Sequence, residues 1–177
     1  MNFLTSNELI LSNRESVDSN RFIITFFIWI AILFGLFYWG KYWTYSPVGE
    51  AIDGYIRSLI MPILSSILDN AIIDYDIVIN SEYRVVITPE CNGLIPYLMI
   101  LSAILAYNGS IFKKAAWAIL SFFIFFAVNI LRLFLVVNIV SEFGTNYFYF
   151  IHDIIGNLLL VSTGLFIFLS YIKGSKE

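Results

Sequence analysis

The chain has 177 residues, 59% hydrophobic and 13% charged, with a formal net charge of -3 and a mean hydropathy of +0.83. A soluble domain is about half apolar and a quarter charged, so this is an integral membrane protein forming one compact bundle. The single cysteine excludes an intrachain disulfide and a CxxC redox or metal motif, and the lack of a basic block or aromatic–basic interleaving argues against a nucleic-acid partner.

Residues 1–21 are polar and read as a loose cytoplasmic tail. The first apolar run, Phe22 to Trp39, is uncharged and is followed by Gly40-Lys41; Tyr38, Trp39, Tyr42 and Trp43 form an aromatic belt at its end. Bulky Tyr and Trp stand where a signal peptide would carry a small-residue cleavage site, so residues 22–39 are expected to be an uncleaved transmembrane anchor. Residues 40–93 form an extracytoplasmic segment. Within it Ile52, Tyr55, Ile56, Leu59, Ile60, Ile63, Ile67 and Leu68 repeat at helical spacing, while Ser58, Ser65, Ser66 and Asp69 take other positions. That is the pattern of an amphipathic helix lying on the interface, and Arg57 and Pro62 argue against an extra span over 51–73. The β-branched runs Asp76 to Ile79 and Tyr83 to Ile87 flank Asn80-Ser81-Glu82, which predicts a short β-hairpin leading into Thr88-Pro89-Glu90-Cys91.

Residues 94–172 hold three further apolar runs. Leu94 to Phe112 opens with Pro96 in its first turn, where a missing amide does no harm, and carries the breaker Asn108-Gly109-Ser110 near its end. Ala115 to Val140 is interrupted by Asn129, Arg132 and Asn138, and Ile154 to Ile172 precedes the short basic tail 173–177. With four spans, Arg14, Arg21, Lys113, Lys114, Lys173 and Lys176 share one side of the membrane, opposite Lys41, Arg57 and Arg84. The positive-inside rule then puts both termini in the cytoplasm. The expected fold is an all-α membrane protein: a bundle of about four transmembrane helices, with an extracytoplasmic amphipathic helix and a short β-hairpin before Cys91.

Three reactive side chains come to one depth. Arg132 lies 17 residues beyond Ala115, roughly 26 Å along a helix, against a hydrocarbon core about 30 Å thick. That is the outward-facing edge, where Cys91 and His152 also lie, each just outside its own helix. Cys91 stands at a helix start, where unpaired amides and the dipole favour a thiolate, and Gly93 permits a tight turn or close approach of a substrate backbone. The plain alternative is a buried structural cysteine. An arginine within a span costs about 2.5–3.5 kcal/mol at mid-membrane; it either snorkels to headgroups or, with Asn129 three residues earlier on the same face, lines an inward-facing site. His152, beside Asp153, is either a solvated interfacial ring or, with an ordinary pKa of about 6.5, a proton carrier. A metal site would have to recruit Glu90 or Asp153 to join Cys91 and His152, and the usual ligand spacings are absent; no metal or cofactor is expected.

The order Cys91-x-Gly93-Leu94 before a helix, Asn129-x-x-Arg132, and His152-x-x-x-Gly156, with a hairpin just before the cysteine, resembles the exosortase/archaeosortase family over about Ile77 to Ile172. Many of its members carry a small residue where this chain has Asn92, and many have additional spans before the core, so this chain resembles a short, single-core member. The resemblance implies a multipass cysteine transpeptidase of the cytoplasmic membrane. Its partner would be a membrane-anchored protein with a C-terminal sorting signal, made of a short motif, a transmembrane helix and a basic tail. Cys91, Arg132 and His152 would be its catalytic residues, with Gly93, Asn129, Asp153 and Glu90 in support and an unspecified acceptor. In chemical terms Cys91 would form a thioester, Arg132 would hold the oxyanion with Asn129 orienting it, and His152 would move the protons. Two other classes stay open at this stage. One is a membrane cysteine protease that only hydrolyses, and the other is a non-enzymatic assembly or transport subunit.

Overall fold

The structure, a computed structural model, describes residues 6–39, 44–68, 72–73, 76–78, 84–86 and 89–175. Helix α1 runs from Ser6 to Phe37. The stretch expected as a loose tail is therefore helical from Ser6 onward: no proline occurs in it and the first glycine is Gly35, so nothing in the sequence ends the helix sooner. Strand β1 (Tyr38–Trp39) follows and pairs antiparallel with β2 (Thr44–Tyr45). This two-residue ribbon is too short to carry an alternating pattern. Ser46 then locks the end of α1 to the next helix. Its amide donates to Phe37 O at 2.8 Å, its hydroxyl donates to Leu36 O at 2.6 Å and accepts from Gly49 N at 3.0 Å.

Helix α2 (Pro47–Ile67) begins with Pro47 in its first turn and carries Pro62 inside. One face, with Asp53, Ile56, Ile60, Met61 and Leu64, is buried; Tyr55, Leu59, Ile63 and Ile67 form a second apolar stripe that is exposed. The expected amphipathic helix is thus present. The hairpin is present as well and belongs to a three-stranded antiparallel sheet of β3 (Ile72–Ile73), β4 (Asp76–Val78) and β5 (Arg84–Val86). Ile77 opposite Val85 faces the core, whereas Arg84 and Val86 are exposed, the alternation of a half-covered sheet. Its connecting residues Asn80-Ser81-Glu82 lie outside the described residues.

A 3-10 turn (Pro89–Asn92) and Gly93 lead into α3 (Leu94–Ala106). The second apolar run is here shorter than expected. Tyr107 leaves the helix with extended backbone, Ser110 caps the following helix through Lys113 N, and Phe112 belongs to that helix, α4 (Ile111–Phe143). At 13 residues α3 is about 20 Å long. After Gly144 the chain passes through a 3-10 turn (Thr145–Tyr147) and a π turn (Phe150–Ile155) into α5 (Gly156–Ser175).

Among the described residues three helical stretches, Ser19–Phe37, Ile111–Phe143 and Thr145–Gly174, are long and apolar enough to cross a membrane, and α3 is a shorter apolar helix. The fold is that of an all-α membrane protein. Its lipid-facing surface is apolar, with Phe27, Ile32, Phe123, Val161 and Phe166 exposed, as a chain immersed in hydrocarbon requires. Helix α3 packs against α1, α4 and α5, and α2 lies across α1 and α4. Two cores result. Ile104, Phe125, Leu160, Ile167 and Tyr171 fill the bundle, while α2 and the sheet close one end over Ile56, Ile60, Leu64, Ile77, Leu98, Leu133 and Val137. Cys91 belongs to this second core, at the junction of the bundle with its cap.

Candidate active site

Each reactive group reaches the site from a different element. Cys91 lies in the 3-10 turn before α3 and is 7% exposed. Gly93, which ends that turn, has φ 77°, a left-handed conformation that costs L-residues about 1–2 kcal/mol. A Cβ there would also stand 3.1 Å from Asn129 Cγ. Arg132 and Asn129 project from the buried stripe of α4 that includes Phe125, Leu133, Val136 and Val140. His152 sits in the π turn, a local widening of the helix that recurs at functional sites because it re-aims side chains.

The three converge on one nitrogen. Cys91 Sγ lies 3.4 Å from His152 Nε2, and Arg132 Nη2 donates to the same Nε2 at 3.0 Å and to His152 O at 3.4 Å. On the other side of the ring, Nδ1 donates to Asp153 Oδ1 at 2.7 Å. These partners assign the ring proton to Nδ1 and leave the Nε2 lone pair facing the thiol and the guanidinium. Phe148 stacks on the imidazole at a centroid distance of 5.1 Å and 9° between planes, which fixes the ring orientation. Arg132 reaches the histidine only because residue 156 is glycine: a Cβ there would be 2.5 Å from Arg132 Nε and 3.1 Å from its Cδ. The spacing His152-x-x-x-Gly156 is therefore steric, with Gly156 giving passage to a side chain from another helix. Arg132 Nε is buried without a hydrogen-bond partner among the described residues.

Asn129 serves a different group from the one expected. Its Nδ2 donates to the carbonyl of Cys91 at 2.8 Å, so it holds the cysteine backbone and does not orient Arg132. Glu90 lies in the 3-10 turn, and its side chain is outside the described residues. Among the described residues no three His, Cys, Asp or Glu side chains group in a way that could hold a metal ion.

A polar network absent from the sequence reading lies behind the cysteine. Asn92 Nδ2 donates to Asp53 Oδ1 at 2.6 Å and to Tyr45 Oη at 3.0 Å, while its Oδ1 accepts from Leu94 N at 2.8 Å. Asp53, 0% exposed, is also paired with Arg57 one turn along α2. Burial pushes the Tyr45 phenol above its ordinary value, which keeps it a neutral hydroxyl. The signal that could reveal Asp53 is its phase, since it falls on the same α2 stripe as Ile56, Ile60 and Leu64. In front of the site a groove of about 420 Å³ runs between α3 and α5; Pro96 and Met99 face Asn157 and Val161, with Arg132, His152 and Asp153 at its polar end.

Among the described residues, four apolar helices capped at one end, with a thiol, an imidazole and a guanidinium gathered beneath the cap, make the architecture of a multipass membrane protein. The comparison with known families agrees: the model of the transmembrane exosortase family (Exosortase_EpsH) matches residues 9–169. The chain belongs to the transmembrane exosortases. No curated protein and no solved structure matches it.

Proposed function

We propose that the protein is a cysteine transpeptidase that cleaves the C-terminal sorting signals of membrane-anchored proteins at the outer face of the cytoplasmic membrane. The observation that carries this reading is the position of His152 Nε2, 3.4 Å from Cys91 Sγ and 3.0 Å from Arg132 Nη2. Sulfur attacks the substrate carbonyl carbon as the thiol proton passes to Nε2. The new oxyanion is met by Arg132, a charge that cannot be lost to deprotonation. The C–N bond then breaks, the Nε2 proton goes to the leaving amine, and a thioester remains on Cys91. An acceptor amine or hydroxyl loses its proton to Nε2 and attacks the thioester, which returns the thiol. Asp153 holds the imidazole in the tautomer these transfers need.

The groove between α3 and α5 supports the same reading. Its polar end is at His152 and its walls are apolar except for Asn157, a path suited to the leaving half of a peptide that continues into a transmembrane helix. Substrate held at a fixed depth gains specificity from the bilayer as well as from its motif.

The test is co-expression with proteins of the same cell that carry a short motif, an apolar helix and a basic tail at their C-termini. Cys91→Ala is expected to abolish their processing while remaining folded and inserted. Mass spectrometry of the new C-terminus is expected to show added acceptor mass; a free carboxylate would mean hydrolysis instead. Normal processing by Cys91→Ala overturns the mechanism.

A further inference from the structure

We propose that Asp53 is a positioning residue: through Asn92 it holds the Cys91 turn from the α2 side and so sets the sulfur against His152. This rests on the reading of Cys91 as a nucleophile. The turn is clamped from two directions. Asn129 of α4 holds the carbonyl of Cys91, and Asp53 of α2 holds the side chain of Asn92. Asn92 also caps the first amide of α3, so its orientation couples three elements: α2, the turn and α3.

Stability alone does not account for this arrangement. Asp53 is fully buried, and a buried carboxylate–guanidinium pair is frequently no more stabilising than apolar residues of the same volume. What the carboxylate provides is direction. Its two oxygens are both engaged, one by Asn92 and the other by Arg57, so it has a single orientation, and the Asn92 amide is held in turn by Tyr45 and the Leu94 amide. An apolar residue at position 53 would fill the space and leave the turn without its anchor. Asn92 is the residue through which α2 reaches the turn.

The unique cysteine makes the test independent of any substrate. Purified full-length protein in detergent is alkylated with iodoacetamide across a pH series, and modification is read by intact mass. Asp53→Ala and the charge-free Asp53→Leu/Arg57→Met are expected to raise the midpoint of the pH–rate profile by about one unit relative to wild type, as the thiol moves away from the Nε2 lone pair of His152 and the charge of Arg132. Asp53→Asn, which keeps an oxygen for Asn92 Nδ2, is expected to restore the wild-type midpoint. Thermal melting identifies variants that are still folded; the double variant removes both charges of the pair and serves where Asp53→Ala unfolds. A folded double variant with the wild-type midpoint overturns the proposal, and so does an Asp53→Asn profile as displaced as that of Asp53→Ala. If the midpoints shift as expected but the wild-type chain processes no sorting signal, the positioning stands and the transpeptidase reading falls.

Discussion

At the scale of single residues, the site depends on side chains that are small where another must pass. Arg132 reaches His152 across the surface of Gly156, and a methyl group there would meet Nε at 2.5 Å. Helix propensity works in the opposite direction, because alanine is favoured over glycine by about 0.8–1.0 kcal/mol in a helix interior. Gly156→Ala is therefore expected to leave melting close to wild type and to lower the processing rate about 100-fold, the scale of losing one oxyanion donor. Melting and processing measured on the same preparation separate the two effects; an unchanged rate would show that Arg132 acts without touching the histidine. Gly93→Ala is expected to behave differently. It combines a positive φ with a close approach to Asn129, so it is predicted to destabilise the protein by about 1–2 kcal/mol, visible as a lower melting temperature.

At the scale of elements, the π turn is what aims His152. Its ring is placed by the extra residue that Phe150–Ile155 accommodates, and deleting Ile154 is expected to restore a regular α-helix and rotate His152 by about 100° relative to α5. Helix content by circular dichroism should persist while processing is lost. Retained processing would refute a directing role for the turn. The same elements mark how far the sequence was readable. Arg132, Cys91 and His152 could be found because polar groups are rare in apolar runs, and depth along a helix follows from residue counting. The hairpin was readable from its β-branched runs. The length of α3 was not, since Ile111 and Phe112 continue the apolar composition past Asn108-Gly109-Ser110 although they belong to α4. Asp53 and Asn92 were missed for another reason. Their contact spans 39 residues, and only the folding of α2 against the turn brings them together.

At the scale of the whole molecule, the reading requires the capped end to face outward. Lys113 and Glu142 lie near opposite ends of α4, 29 residues apart, or roughly 44 Å along the helix. That equals the full membrane thickness of about 40–45 Å including headgroups, so these ends belong to opposite interfaces. Lys113 donates to Gly174 O near the end of α5, which places Lys173 at the same end of the bundle as Lys113 and Lys114. By the positive-inside rule that group is expected in the cytoplasm. Topology is testable because the natural cysteine can be removed: in a Cys91→Ser background, exposed Glu142→Cys and exposed Lys173→Cys report the two faces. A membrane-impermeant maleimide added to intact cells is expected to label Glu142→Cys and to reach Lys173→Cys only after permeabilisation. The reverse pattern would put the thiol on the cytoplasmic side, where an exported protein's signal could not meet it after translocation, and the transpeptidase reading would fail on orientation alone.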